Sequence, residues 1–208
     1  MIGAILVAAL SAYLLGNLNG SVCISALVAG DDVRKHGSGN AGLTNFFRSY
    51  GGWSTFLVIA VDVIKTVAAA YTAGFVLASF GYYREGLVLG VVLVSIGHDF
   101  PALLGFKGGK GIMSGCIIAF VVDWRIGLLI LGVFAVVYFI TWYVSLGSLL
   151  AAVTFCVGFV IFHRDNLTVM LCGVLMGALA VFMHRSNIAR LVKGQEKKTN
   201  LFGKGRKA

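Results

Sequence analysis

Between Ile126 and Phe162 the chain carries no charged side chain. A helix crossing a bilayer needs about 20 apolar residues, so this run of 37 residues is too long for one span. It predicts two helices with a break, placed near Ser145-Leu146-Gly147-Ser148. Further apolar runs cover about 2–29, 53–80, 87–97, 112–122 and 167–183. The chain is 59% hydrophobic and 12% charged, against roughly 25% charge in a soluble domain. So few charges cannot clothe a water-facing surface. The 28 glycines follow no triplet period and come with one proline, which excludes collagen. The expected fold is all-α: a polytopic membrane helix bundle of about seven transmembrane helices, some short. It is read as one domain over 1–208, with a flexible basic tail at 199–208.

The net charge of +9 would suggest nucleic acid in a soluble domain. In a membrane protein Lys and Arg are placed by topology instead. With the N-terminus outside and alternating spans, the loops at 31–52 and 97–113 and the tail share one side. That side holds thirteen cations, and the other holds Arg84, Arg125 and Arg164. The rich side is therefore read as cytoplasmic, with the C-terminus on it. No nucleic-acid partner is expected. The first 30 residues contain no Lys or Arg, so they lack the basic start of a signal peptide and read as a first span with a polar notch, Asn17-Leu18-Asn19-Gly20-Ser21. The four cysteines lie in apolar runs without a CxxC pair and read as small buried hydrophobes. No metal motif appears, and no cofactor is called for.

Three segments on the cation-rich side carry the candidate chemistry. The first runs Gly37-Ser38-Gly39-Asn40-Ala41-Gly42-Leu43-Thr44-Asn45-Phe46-Phe47-Arg48. Closely spaced glycines let backbone amides converge on an anion. Ser38, Asn40 and Thr44 add neutral donors, and Arg48 a planar fork. The second joins Gly97-His98-Asp99-Phe100-Pro101 to Phe106-Lys107-Gly108-Gly109-Lys110-Gly111. A Gly-Gly-Lys-Gly run entering an apolar helix suits phosphate, although it matches no Walker A loop and resembles an ordinary basic flank of a span. His98 either caps helix carbonyls or takes part in the chemistry. The third starts at His184. On a helix, His184, Asn187 and Ile188 share a face, where an imidazole and an amide could orient a hydroxyl. From Lys197 onward the tail reads as a partner for anionic lipid heads. Asp62 and Lys65, three apart inside a span, read either as a structural pair or as part of the site. Ser145 and Ser148 either face the site or help two helices pack. His163 reads as a surface residue.

Many anion donors, few carboxylates and no metal motif suit a small phosphorylated substrate at a membrane surface. The chain also lacks the H-x-x-x-x-D acyltransferase signature, since no histidine has Asp five residues on. Its three segments, GSGNAGLTNFFRSYG at 37–51, GHDFPALLGFKGGKG at 97–111 and HRSNIARLVKGQEKK at 184–198, resemble the motifs of the bacterial acyl-phosphate:glycerol-3-phosphate acyltransferases, the PlsY family, in the same order. The resemblance spans essentially the whole chain. Two departures are Leu43, where the family usually has Ala, and Asn17-Leu18-Asn19, where it usually has a Ser-Ile-Pro-like turn.

The resemblance implies transfer of an acyl group from acyl phosphate to glycerol 3-phosphate at the bacterial cytoplasmic (inner) membrane. The products are 1-acyl-glycerol 3-phosphate and phosphate. Acyl phosphate is a mixed anhydride with a good leaving group, so positioning and charge neutralisation are what the protein must supply. By position in the motifs, Ser38, His184 and Asn187 are expected at the reacting groups. Asn40, Thr44, Arg48, Lys107, Gly108 and Gly109 are expected around the phosphates. Lys110, Ser145 and Glu196 form an outer set. The base is either His184 or the donor's own phosphate. The expected partners are the two substrates and membrane lipid. Apolar helix faces meet lipid or a second copy with the same residues, so a monomer satisfies them. Two other classes fit the residues without the resemblance: a transporter of small organic phosphates, and a membrane scaffold with a lipid-binding tail.

Overall fold

The computed structural model describes residues 1–201; the last part of the expected flexible tail, 202–208, lies outside the described residues. Among the described residues there are ten α-helices and no strand: α1 Ile2–Asn17, α2 Gly20–Ala29, α3 Leu43–Ser49, α4 Ser54–Ala78, α5 Tyr83–Asp99, α6 Ile112–Val122, α7 Trp124–Thr141, α8 Val144–Phe162, α9 Leu167–Met183 and α10 Arg185–Val192. Five spans are long and apolar enough to cross a membrane by themselves, with α1 and α2 counted as one, and the bent pair α9–α10 makes up to six. The remaining apolar element, α6, has 11 residues and is about 16 Å long, roughly half the hydrocarbon thickness. The chain divides into two compact units, Met1–Ser114 and Gly115–Leu201 among the described residues.

The first unit is organised around an interruption. The first span breaks at Leu18-Asn19, and Asn19 caps α2 by accepting from the Val22 amide at 3.1 Å. Asparagine thus starts a new helix where a proline bend is the family expectation. A break at membrane depth exposes backbone groups that lipid cannot satisfy. The ion pair on α4 answers this. Asp62 accepts from the Gly20 amide at 3.2 Å. Lys65 donates to the Leu18 carbonyl at 2.8 Å, to Asp62 at 2.7 Å and to His98 Nδ1 at 2.8 Å. An ammonium has three protons, and here each has an acceptor. Asp62 and Lys65 therefore close the helix break between them, and Lys65 also reaches His98.

Elsewhere in this unit α1 crosses α5 where Gly16 faces Gly97; a methyl on either would strike the other helix's backbone. Small residues of this kind let membrane helices approach closely. Ala12, Ala69 and Val94 fill the contact among α1, α4 and α5, while Leu6, Leu10, Ile64 and Phe75 are exposed, as lipid-facing positions must be.

In the second unit the predicted break falls earlier than expected. It lies at Trp142-Tyr143, with Trp142 in the left-handed region at φ 61. Ser145 and Ser148 sit inside α8, buried on its first turns. Two serines do not themselves stop a helix, and here they lie in the apolar run that continues as α8. Gly173 and Gly177 on α9 lie against Phe159 and Cys156 of α8 with no room for a Cβ. His163 is not a surface residue: it is 2% exposed, with Nε2 3.3 Å from Asp123, the carboxylate that caps α7 and pairs with Arg125. The four cysteines are free thiols as expected, but none is fully buried: Cys23 is exposed, and Cys116, Cys156 and Cys172 are half-buried.

Removing one partner from a buried pair strands a charge. Lys65→Met is expected to destabilise the protein by about 3–5 kcal/mol, read as thermal unfolding in detergent. Asp62→Asn with Lys65→Met should recover part of that loss. Equal stability of the single variant and the parent would show that the pair does not hold the break.

Candidate active site

The first two motifs form one cluster in the first unit. Asn45 organises the loop before α3. Its amide nitrogen lies 3.0 Å from each of the carbonyls of Val33, His36 and Asn40, which share its two protons, and its oxygen accepts from the Ser38 amide at 2.9 Å. Gly37 passes so close to that oxygen, at φ 58, that no side chain fits there. Phe46 anchors the same segment in an apolar cluster with Ile24, Val33 and Val58. Ser38 is thus held by its backbone while its side chain is exposed. Asn40 and Thr44 are half-buried and Arg48 is exposed.

Arg34 joins this loop to the second motif. It pairs with Asp32 at 2.7 Å and donates to the carbonyls of Leu104 at 2.8 Å and Lys107 at 3.2 Å. Asn40 and the Ala41 amide both reach the Gly108 carbonyl at 3.4 Å. The Lys107 side chain projects exposed from the loop, and Lys110 is half-buried. Nearby, hydrogen bonds from His36 and from the Asp32 amide hold the Asp31 carboxyl down to about 2. Arg34 and Lys35 are thus matched by Asp32 and Asp31.

Beneath the Gly108-Gly109 turn lies His98, 4% exposed. The Gly109 amide donates to the His98 carbonyl at 3.0 Å. A side chain at Gly109 would collide with the imidazole, and one at Gly108 with the His98 carbonyl. Because Lys65 donates to Nδ1, the ring proton of a neutral His98 is on Nε2, the atom that faces Gly109. The Gly108-Gly109 turn is therefore seated on a histidine oriented by a buried lysine. From α1, Tyr13 donates to the Phe100 carbonyl at 2.9 Å and Asn17 accepts from the Leu103 amide at 3.0 Å, fixing the entry to the loop.

The third motif forms its own cluster in the second unit. His184 ends α9 and is 3% exposed. Its Nδ1 lies 2.7 Å from the Ala180 carbonyl. A carbonyl only accepts, so Nδ1 carries the proton and Nε2 of the neutral ring is the acceptor. Asn187 on α10 donates to Glu196 at 2.9 Å, and Arg190 donates to the other Glu196 oxygen at 2.6 Å. Burial alone would raise the Glu196 carboxyl. The hydrogen bonds from Arg190 and Asn187 outweigh it and hold the group below the ordinary range. The Ser145 hydroxyl adds to this from nearby without closing a bond of good geometry. Of the outer set, then, Ser145 and Glu196 join Asn187. No group of three His, Cys, Asp or Glu side chains suited to a metal occurs among the described residues.

Two irregular loops pinned by amides and cations, and a His–Asn pair backed by Glu196, suit anion binding and orientation of a hydroxyl. The family model described as glycerol-3-phosphate acyltransferase matches residues 6–194. The chain belongs to this family. Glycerol-3-phosphate acyltransferases from Finegoldia magna (39% identical, 89% of this chain and 91% of the relative) and Syntrophomonas wolfei (40% identical, 89% and 92%) are among its relatives. It also resembles a crystal structure of PlsY (YgiH), an integral membrane glycerol 3-phosphate acyltransferase, in its glycerol 3-phosphate form. That likeness has TM-score 0.83 and 32% identity, and covers 96% of this chain and 99% of the other. The lysophosphatidic acid form gives TM-score 0.79 at 30% identity, covering 95% and 96%. The match runs through both compact units, so this acyltransferase-family chain carries the first two motifs whole, and the third as far as Gly194, within the matched region. Membership also sets aside the transporter and scaffold classes.

On sequence alone Asn45 and Arg34 have no assigned role in the site. Asn45 could have been suspected from its place just after three glycines; Arg34 gives no local signal for bridging the loops, because the carbonyls it joins there, those of Leu104 and Lys107, are 70 and 73 residues away. Asn45→Asp keeps the acceptor for the Ser38 amide but loses every donor. It is expected to cost about 1–3 kcal/mol of stability and to lower turnover at least roughly tenfold, like Asn45→Ala; turnover of the Asp variant at the parental rate would show that the donors are dispensable. A second expectation follows from Glu196. Its depressed carboxyl contributes stability that is fully present above the ordinary glutamate value, about 4.3, and is lost as pH falls through the lower folded value. Unfolding of Glu196→Gln, followed across acidic pH, should lack that component.

Proposed function

We propose that the protein transfers a fatty acyl group from acyl phosphate to the sn-1 hydroxyl of glycerol 3-phosphate, giving 1-acyl-glycerol 3-phosphate and inorganic phosphate. The observation that carries this reading is the interlock of the 37–48 loop with the Gly-Gly-Lys-Gly turn. It brings exposed Lys107 and a set of oriented amides into one cluster, the equipment for phosphates rather than for a covalent acyl-enzyme. The glycerol 3-phosphate and lysophosphatidic acid forms of the PlsY structures support the acceptor and the product.

In this reading Arg48, Lys107, Lys110 and the Gly108-Gly109 turn neutralise phosphate charge, assisted by Ser38, Asn40 and Thr44. The acceptor oxygen attacks the acyl carbonyl carbon, a carbon–oxygen bond forms, and the bond from carbonyl carbon to phosphate oxygen breaks. Cationic groups and amides stabilise the charge that builds up on the way. His184 accepts the hydroxyl's hydrogen bond through Nε2, with Asn187 beside it. One orienting partner of His184 is the Ala180 carbonyl. In this reading the departing phosphate takes up the hydroxyl's proton. The distribution of cations supports a reaction on the cytoplasmic side of the bacterial inner membrane, with the N-terminus outside and the C-terminus inside. The acyl chain would lie against apolar helix faces. The whole chain acts as one acyltransferase domain.

The test is phosphate release by purified, detergent-solubilised protein given palmitoyl phosphate and glycerol 3-phosphate, with EDTA and without acyl-CoA or acyl carrier protein. Release that requires glycerol 3-phosphate and yields lysophosphatidate is expected, and Lys107→Ala should lower it by roughly 10²–10³-fold. Turnover with acyl-CoA alone would overturn the donor. His184→Gln can still orient a hydroxyl but cannot act as a base, so it should keep more activity than His184→Ala. Equal losses in the two would return the proton to His184.

A further inference from the structure

Residues 195–201 have no regular secondary structure, yet they are tied closely to the second unit. Glu196 is buried against Asn187 and Arg190. Three residues on, the Thr199 amide donates to the Trp142 carbonyl at 3.0 Å. That carbonyl stands at the end of α7, where helical partners run out. Thr199 itself is 5% exposed.

The fastening point is Tyr138, one turn earlier on α7. Its hydroxyl donates to the Thr199 carbonyl at 3.0 Å and accepts from the Leu201 amide at 2.9 Å. The ring is 2% exposed, stacked on Phe134 at 6.0 Å and edge-on to Phe139 and Trp142. A ring held on three sides delivers its hydroxyl to one place, where it serves the tail as donor and acceptor at once. Segments near a chain end fray unless tied, and ordering each residue costs entropy. Without this fastening the strap that follows Glu196 would lose both of its hydrogen bonds to Tyr138. With it, Glu196 holds the Asn187 nitrogen and so sets which way the amide carbonyl points.

We propose that Tyr138 is a positioning residue for the acyl-acceptor site, acting through the 195–201 strap and Glu196 on Asn187. This rests on the reading that Asn187 helps to orient glycerol 3-phosphate.

Tyr138→Phe keeps the ring and removes the hydroxyl. Hydrogen exchange should show the Leu201 amide opening at least about tenfold faster. The KM for glycerol 3-phosphate should rise about five- to tenfold, with the KM for palmitoyl phosphate unchanged. In a Glu196→Gln background, where the charge-assisted hold is already weakened, the same change should add less than about twofold. A fall in kcat with both KM values unchanged would mean a loss of folded protein and overturn the proposal. So would unchanged kinetics of Tyr138→Phe beside an inactive Asn187→Ala. Full activity in Asn187→Ala would instead sink the acceptor-site reading, and the proposal with it.

Discussion

A lysine ammonium buried at a helix break holds the first unit together. Lys65 spends its three protons on Asp62, on the Leu18 carbonyl and on His98. Inside a membrane an interrupted helix is tolerable only where protein groups replace the missing backbone partners. The ion pair permits the break. Since the same ammonium fixes the ring of His98, the support continues to the Gly108-Gly109 turn. Structure and site in this unit therefore share one buried charge.

The loops above are irregular, and irregular backbone needs side-chain partners. Asn45 supplies them within the first loop, Arg34 between the loops, and Tyr13 and Asn17 at the exit from α5. None of these groups need touch a substrate. They make the Lys107 loop and the Ser38 loop arrive together, so that few charged side chains can act as an organised set. The second unit solves the same problem with a carboxylate: Glu196 collects Asn187 and Arg190, and the tail is fastened at Tyr138. A glycerol-3-phosphate acyltransferase built this way relies on preorganised donors.

Much of the site is legible in the sequence because its residues lie in short runs. Glycine spacing marks the 37–42 and 108–111 turns, whereas the single helix expected to carry both His184 and Asn187 is broken: His184 ends α9, and α10, which bears Asn187, leaves at a bend of 52°. The position of the break in 126–162 is not legible in this way. Serines resemble a loop in composition, yet they fold into α8, and the interruption comes at Trp142, whose left-handed backbone no propensity would favour. His163 misleads for a related reason: a polar residue after an apolar run resembles a surface loop, but Asp123 from the start of α7 draws it into the interior.

Local composition and contiguous motifs suffice for the class of solvent, the rough extent of the apolar runs, the segments that carry the cations, and the family. Which buried polar groups meet is a matter of tertiary packing alone. Lys65 with His98, Arg34 with the Leu104 carbonyl, and Tyr138 with Leu201 are separated by 33, 70 and 63 residues. No local pattern encodes such pairs, because they depend on how whole helices pack. In a low-dielectric interior, however, each polar group must find its partner, and those meetings fix where the substrate-facing residues stand.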